Sequence, residues 1–158
     1  MKRYLFSFLA LAFLVSGPLL AQDNPFLGSW KLNLAKSKFE PGTAPKSQTR
    51  TITSEGDSVK YAFEGVAADG TPFAYSFTVK YDGKDYPVTG KGAPYGADAV
   101  SFKRASSHKT EVTLKRAGID IGAAVAEVSS DGKIATVKGK GKLPDGKQVF
   151  TDSVYDKQ

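Results

Sequence analysis

Hydrophobic and polar residues alternate with a period of two through most of the chain beyond residue 28. In the clearest run, aromatic or branched side chains occupy every second position: Phe73, Tyr75, Phe77, Val79 and Tyr81. This period is typical of β-strands with one buried and one solvated face. No segment beyond the N-terminal apolar run has a sustained period of 3.6. We therefore expect no helices packed on the sheet, which must cover its own core.

Turn-forming sequences separate the alternating segments. Asp69-Gly70, Asp82-Gly83, Asp131-Gly132 and Asp145-Gly146 are tight-hairpin signals, because glycine accepts the positive φ that such turns need. Residues 55–57 make a fifth turn. The segments between them predict ten strands, the first within residues 24–34 and the others at 48–54, 58–65, 71–81, 84–89, 99–104, 110–116, 119–129, 133–142 and 147–155.

A sandwich and a barrel are the two ways for such a sheet to cover its core. Successive hairpins favour an up-and-down meander, and closing the meander removes its exposed edges. The sequence therefore predicts an all-β fold, an antiparallel up-and-down β-barrel of about 8–10 strands. We expect no helical lid, because the connection at residues 36–46 contains both Pro41 and Pro45.

Two irregular segments interrupt the predicted meander. Residues 90–98 include Gly92, Pro94 and Gly96, which predict a longer flexible loop. At a barrel mouth such a loop often carries function, although an idle connection fits the sequence equally well. The strand at 119–129 changes phase, which predicts a β-bulge near Gly122 or Ala126.

The N-terminus has the pattern of a secretory signal peptide. Lys2 and Arg3 precede an apolar run at residues 4–15, and Ala21 suits the position before a cleavage site. The run is shorter than the roughly 20 residues that a membrane-spanning helix needs. We therefore expect a signal peptide at residues 1–21, a single domain at 22–158 that is periplasmic or secreted, and no stable membrane insertion after cleavage. An uncleaved anchor is the alternative.

The sequence Gly28-Ser29-Trp30, within Phe26-Leu27-Gly28-Ser29-Trp30-Lys31-Leu32, resembles the first strand of the calycin superfamily, the lipocalins and fatty-acid-binding proteins. The resemblance implies a ligand-binding β-barrel in which Gly28 and Trp30 lie near the closed end. More broadly, residues 81–90 and 154–158 are similar to a group of small exported bacterial proteins of uncharacterised function. That second resemblance covers most of the mature chain and implies no known activity.

Two features depart from the fatty-acid-binding proteins. Those proteins carry a helix-turn-helix lid between their first two strands, which the proline-containing segment at 36–46 cannot supply. They also end in Arg-x-Tyr, the pair that grips the ligand carboxylate, whereas this chain has Ser153-Val154-Tyr155. Tyr155 matches the tyrosine and the arginine is missing, so an arginine from a neighbouring strand would have to replace it.

Charge and cysteine content limit the classes of partner. The formal net charge of +6 falls to +4 when Lys2 and Arg3 are removed with the signal peptide, which leaves 20 basic against 16 acidic residues. The only dense basic run is residues 138–142, interpreted as a solvated edge strand or as a patch for anionic surfaces. Nucleic-acid binding is not expected. The absence of cysteine excludes disulfides, thiolate metal sites and a lipid-modified N-terminal cysteine.

Catalytic and metal-binding motifs are absent from the sequence. His108, the single histidine, follows Ser106 and Ser107 in a predicted turn without a glycine-framed serine elbow. The acids of the predicted turns are explained by turn chemistry, and no histidine pair or calcium loop is present. We therefore expect no enzyme activity, metal or cofactor.

The three arginines of the mature chain are the candidates for binding a polar head group. Arg50, Arg104 and Arg116 each share strand parity with apolar residues, whereas most strand lysines fall on the polar face. An inward arginine must find a partner or line a wet cavity, and its planar fork suits a carboxylate. Alternatively, Arg104 and Arg116 reach water from strand ends, or one of them stacks over Trp30.

Two functional hypotheses follow from these residues. The first is a monomeric, exported barrel that binds or carries a small apolar or amphipathic ligand, acidic if the inward arginines hold its head group. Its binding residues would be Arg50, Arg104, Arg116 and Tyr155, with an aromatic wall of Tyr61, Phe63, Phe73, Tyr75 and Phe77. The second is a solid-core interaction protein that docks on an envelope protein or anionic polymer through its basic surface.

Overall fold

The computed structural model describes residues 24–158 as an all-β barrel. Its strands are β1 (Gly28–Leu32), β2 (Lys38–Phe39), β3 (Ser47–Glu55), β4 (Ser58–Val66), β5 (Pro72–Val79), β6 (Asp82–Pro87), β7 (Thr89–Lys91), β8 (Ala99–Ser106), β9 (Lys109–Arg116), β10 (Ile119–Val128), β11 (Ile134–Lys142) and β12 (Gln148–Lys157). Among the described residues the only helical element is a 3-10 turn at Pro94–Gly96. The predicted fold class is confirmed, with two strands, β2 and β7, shorter than sequence alternation can reveal.

One antiparallel sheet runs in the order β6-β8-β9-β10-β11-β12-β1-β3-β4-β5-β7, and β2 adds to β12. The two outermost strands of this order, β6 and β7, are separated in the chain only by Val88. The chain therefore pairs with β8 before Val88 and with β5 after it. This change of partner within one extended segment brings the two edges of the sheet together and nearly closes the barrel.

Local irregularities fall close to where the sequence predicts them. The pairing of β9 with β10 shifts register between Asp120 and Gly122, which places the bulge at the first of the two predicted positions. The segment at 36–46 is irregular apart from β2. The interpretation of residues 138–142 as an edge strand is wrong, because β11 pairs with β10 on one side and β12 on the other.

The end of the barrel where β1 begins is closed by a solid core. Trp30 is 0% exposed and its indole Nε1 donates a 2.9 Å hydrogen bond to the carbonyl of Phe26. Gly28 has φ of +121°, and a Cβ there would stand 2.9 Å from Cε of Lys157, so glycine lets that side chain lie over the indole. Trp30 belongs to one cluster of buried side chains that also includes Ile52, Val59, Val79, Val128 and Ala135.

Thr110 is a weak point in this core, because its buried Oγ1 has no hydrogen-bond partner among the described residues. A buried hydroxyl without a partner costs about 1–3 kcal/mol. We expect Thr110→Val, which keeps the branched shape, to raise the free energy of unfolding by about 1 kcal/mol in urea titrations. The exposed residue Thr53, on β3, provides the matched control, and an equal gain from Thr53→Val would contradict the explanation.

The predicted signal peptide at residues 1–21 lies outside the described residues and stays a prediction. Within residues 24–158 no helix has the length and apolar character needed to cross a membrane.

Candidate functional site

A cavity of about 400 Å³ occupies the other half of the barrel, beyond the solid core. Its mouth is bordered by four connections: the one between β2 and β3, the β4–β5 and β11–β12 turns, and the segment between β7 and β8. Together with Phe39 at the end of β2, they contribute the lining residues Thr43, Pro45, Ala67, Ala68, Gly92, Ala93, Pro94, Tyr95, Ala97 and Leu143. The barrel therefore combines a filled end with a hollow end.

Two unlike walls explain why side chains leave this half of the barrel unfilled. Strands β4 and β5 carry the aromatic wall: Tyr61, Phe63, Phe73, Tyr75 and Phe77. Strands β10 to β12 carry the small-residue wall, which includes Ala124, Ala126, Gly139, Thr151 and Ser153. Small side chains facing large ones leave space between them, and this space is the cavity.

The aromatic rings stand upright on their sheet. Phe63 and Tyr75 face each other across β4 and β5, with ring centroids 4.7 Å apart and planes within 11°. Tyr61 and Phe77 form a second such pair at 5.3 Å. Rings lying flat on the sheet could not approach so closely. They are stacked, and their hydrogen-bearing edges, which carry the positive part of the ring quadrupole, face the cavity.

Among the described residues that line the cavity, Arg50 is the only charged one. Its side chain is 4% exposed, and within the described residues its Nε and Nη2 have no hydrogen-bond partner. The guanidinium carbon lies 4.0 Å from the ring centroid of Tyr155 and 5.5 Å from that of Trp30. Two aromatic faces thus hold the cation in place, while its Nε and Nη2 are left without a protein acceptor.

Burial controls the ionisation of the groups around Arg50. It lowers the pKa of the Arg50 guanidinium, and the neighbouring tyrosine hydroxyls, that of Tyr155 foremost, oppose this shift. Burial raises the pKa of Tyr155, with Arg50 opposing, and raises the pKa of Tyr61 well above its usual range. The Tyr155 hydroxyl donates a 2.7 Å hydrogen bond to Oε1 of Gln48. The site therefore offers one cation and neutral phenols to a ligand.

The other two candidate arginines lie at opposite ends of the barrel, and neither lines the cavity. At the closed end, Arg104 lies 3.8 Å from the ring centroid of Tyr81 and donates to the carbonyl of Ser107 at 3.2 Å. At the mouth, Arg116 donates to the carbonyl of Tyr95 at 2.9 Å. The stacking proposed for one of them over Trp30 is made instead by Arg50 and Lys157.

The remaining predicted ligand residues are brought together. Tyr155 and all five aromatic residues of the predicted wall line the cavity with Arg50. The sequence reasoning missed the small-residue wall and Tyr95. A signal for that wall was present in Lys138-Gly139-Lys140-Gly141-Lys142, where glycines alternate with lysines as the inward half of a strand with period two.

The residues considered for catalysis or metal binding lie outside the cavity. His108 is in the exposed β8–β9 turn, where its Nδ1 lies 2.9 Å from the Oγ of Ser107. Among the described residues no group of three histidine, aspartate or glutamate side chains is placed to hold a metal ion.

Comparisons with known proteins place the fold. The zebrafish ileal bile acid-binding protein, in complex with cholic acid, superposes with a TM-score of 0.52 and 12% identity over 85% of this chain and 99% of that one. Rv2717c from M. tuberculosis gives 0.53 and 14%, over 90% and 98%. The S-type phycobiliprotein lyase CPES from Guillardia theta gives 0.51 and 11%, over 85% and 89%. No family model and no curated protein matches the sequence.

These likenesses and the barrel geometry show a β-barrel of the calycin type, a fold that the lipocalins and fatty-acid-binding proteins also have. The resemblance that Gly28 and Trp30 carry in the sequence is thereby confirmed at the level of the fold.

Proposed function

We propose that the protein binds a small amphipathic acid, with the acid group on Arg50 and the apolar part against the aromatic wall. The observation that carries the proposal is the buried Arg50 guanidinium, the one charged group among the described residues that line the cavity, whose Nε and Nη2 donors have no partner in the protein. An unpaired buried charge is costly, and a ligand carboxylate would supply the missing acceptors in the fork geometry that arginine favours.

The dimensions and lining of the cavity support a small molecule. Its volume of about 400 Å³ falls within the range of about 300–1,000 Å³ typical of ligand pockets. Apolar walls with a few convergent polar groups are also usual in such pockets. The zebrafish protein of the same fold binds cholic acid, itself an amphipathic acid. In this chain the role of the C-terminal Arg-x-Tyr pair would pass to Arg50 and Tyr155, which meet across strands.

We further propose that the protein acts as a monomer. We place it in the periplasm or outside the cell because its N-terminus has the pattern of a signal peptide. We propose no reaction, because the described polar groups of the cavity include no nucleophile paired with a base. The alternative of an interaction protein assumes a solid core, and the cavity removes that premise. The lysine-bearing outer face of β11 is the surface on which that alternative would have to rest.

The test is native mass spectrometry of the mature protein, residues 22–158, purified gently from the envelope of its own host. We expect an added mass that is lost on denaturation. The same protein is then titrated with a matched pair, hexadecanoic acid and hexadecanol. A preference for the acid of about tenfold or more is expected, because a charge-assisted hydrogen bond contributes about 1.5–3 kcal/mol. A bare mass with no binding of either compound would refute the proposal.

A further inference from the structure

The segment between β7 and β8 crosses the mouth of the cavity and places one aromatic ring over it. Residues 94–96 form a 3-10 turn, closed by hydrogen bonds from the amides of Gly96 and Ala97 to the carbonyls of Ala93 and Pro94 at 3.1 and 3.0 Å. At the centre of this turn Tyr95 has φ of +58°, the left-handed region that side chains larger than glycine rarely adopt. Tyrosine in this conformation at a cavity mouth indicates a role for its side chain.

The small-residue wall contains a seat for this ring. Gly122 on β10 and Gly141 on β11 are directly paired, and both border the ring of Tyr95. A Cβ at Gly122 would stand 3.1 Å from the ring, and a Cβ at Gly141 would overlap it. Two paired glycines therefore let the tyrosine reach from the β7–β8 segment onto the opposite wall.

Arg116 fixes the turn from a third direction. Its Nη1 donates a 2.9 Å hydrogen bond to the carbonyl of Tyr95, from the last residue of β9. This arginine shares parity with the inward residues of its strand, yet its head group is used on the backbone of the turn. It therefore contributes to the site by holding Tyr95.

We infer that Tyr95 determines the length of ligand that the cavity accepts, with Arg116 as a positioning residue. The inference rests on the binding function proposed above. Arg50 lies against the tryptophan of the solid core and would hold the acid group deep in the barrel. Tyr95 lies at the mouth, so the distance between the two residues limits the tail. A longer tail must displace the ring or leave methylenes in water, and each methylene left in water forgoes the gain of about fourfold in affinity that its burial would give.

The experiment measures dissociation constants for a homologous series of unbranched saturated carboxylic acids. For the unmodified protein we expect affinity to rise with length and then stop rising beyond a cutoff. Tyr95→Ala should move the cutoff to longer acids. Tyr95→Phe should keep the original cutoff because it retains the ring. Tyr86→Ala is the matched control, since Tyr86 is a partly buried tyrosine that does not line the cavity.

A second variant separates the seat from a general loss of packing. Gly141→Ala places a methyl group where the ring lies, so it should also move the cutoff to longer acids. In a Tyr95→Ala background it should add nothing, because the ring it displaces is gone. An additional shift of the same size in that background would overturn the assignment of Gly141 as the seat.

For Arg116 the discriminating readout is the length profile. Arg116→Gln should make the change of affinity at the cutoff length more gradual. Arg116→Lys, which keeps a charged donor, should restore the sharp cutoff. If the unmodified protein binds none of the acids, the proposed binding function fails. If the unmodified protein and folded Tyr95→Ala bind the series with the same cutoff, the binding function stands and the inference about Tyr95 is overturned.

Discussion

Replacing Trp30 by alanine is expected to lower the free energy of unfolding by about 3–5 kcal/mol, the usual cost of removing a buried large aromatic side chain. The indole is 0% exposed. Its loss would leave a void beneath Arg50 and remove the hydrogen bond to the Phe26 carbonyl. Domains of this size are stable by only about 5–15 kcal/mol, so much of the folded state's margin depends on this one side chain.

The measurement is urea-induced unfolding followed by far-UV circular dichroism. Phe150→Ala is the matched control, because Phe150 is an aromatic residue on β12 that is 55% exposed, and we expect its loss to cost less than about 1 kcal/mol. Trp30→Phe should be intermediate, since it keeps a ring and leaves the Phe26 carbonyl without its donor. Equal midpoints for Trp30→Ala and Phe150→Ala would contradict the account of the closed end.

Much of the fold could be predicted because its information is local. The alternation at Phe73, Tyr75, Phe77 and Val79 gives the buried face of β5 directly, and all four side chains point inward. Three of the four aspartate-glycine pairs, at residues 69–70, 131–132 and 145–146, lie in hairpin turns, where their glycines have positive φ. The hairpin predicted at Asp82-Gly83 is wrong, because these residues open β6, which pairs with β8 and not with the preceding strand β5. The phase change in β10 likewise locates its bulge, because one extra residue reverses the alternation after it.

Closure of the barrel could not be predicted in this way. It depends on Val88, where one extended segment exchanges a β8 partner for a β5 partner. Nothing in the alternation near Val88 marks the exchange, because pairing partners distant in sequence are set by the whole sheet. The same holds for β2, whose two residues are too few for a period and are strand only through their pairing with β12.

For the candidate site, the sequence predicts which side chains face the interior of the barrel, but not how far along the barrel axis each one lies. Strand parity correctly groups Arg50 with inward residues, yet it treats Arg104 and Arg116 alike, because parity carries no information on position along the barrel axis. The structure places these arginines at three levels: Arg104 at the closed end, Arg50 in the cavity, and Arg116 at the mouth. Depth follows from register, which requires the neighbouring strands to be known.

The buried position of Arg50 in the cavity lowers the stability of the unliganded protein and favours binding of an acid. Its buried Nε and Nη2 lack partners in the protein, and such groups cost about 1–3 kcal/mol each, or more when charged. Contacts with the rings of Tyr155 and Trp30 return about 0.5–2 kcal/mol each. The balance disfavours the cation in the unliganded protein, and we interpret the site as one that a ligand acid completes.

Arg50→Met is therefore expected to weaken binding of a carboxylic acid by about 30-fold or more, since losing one partner of a buried charge pair costs about 2–5 kcal/mol. Binding of the matched alcohol should change by less than about threefold, because methionine preserves the apolar stem. The unliganded variant should unfold at higher urea concentration, by about 1 kcal/mol in free energy, because the unpaired donors are gone. Arg104→Met is the matched control. It removes an arginine outside the cavity and should leave acid binding unchanged. Equal losses of acid binding in the two variants would show that Arg50 does not hold the acid group.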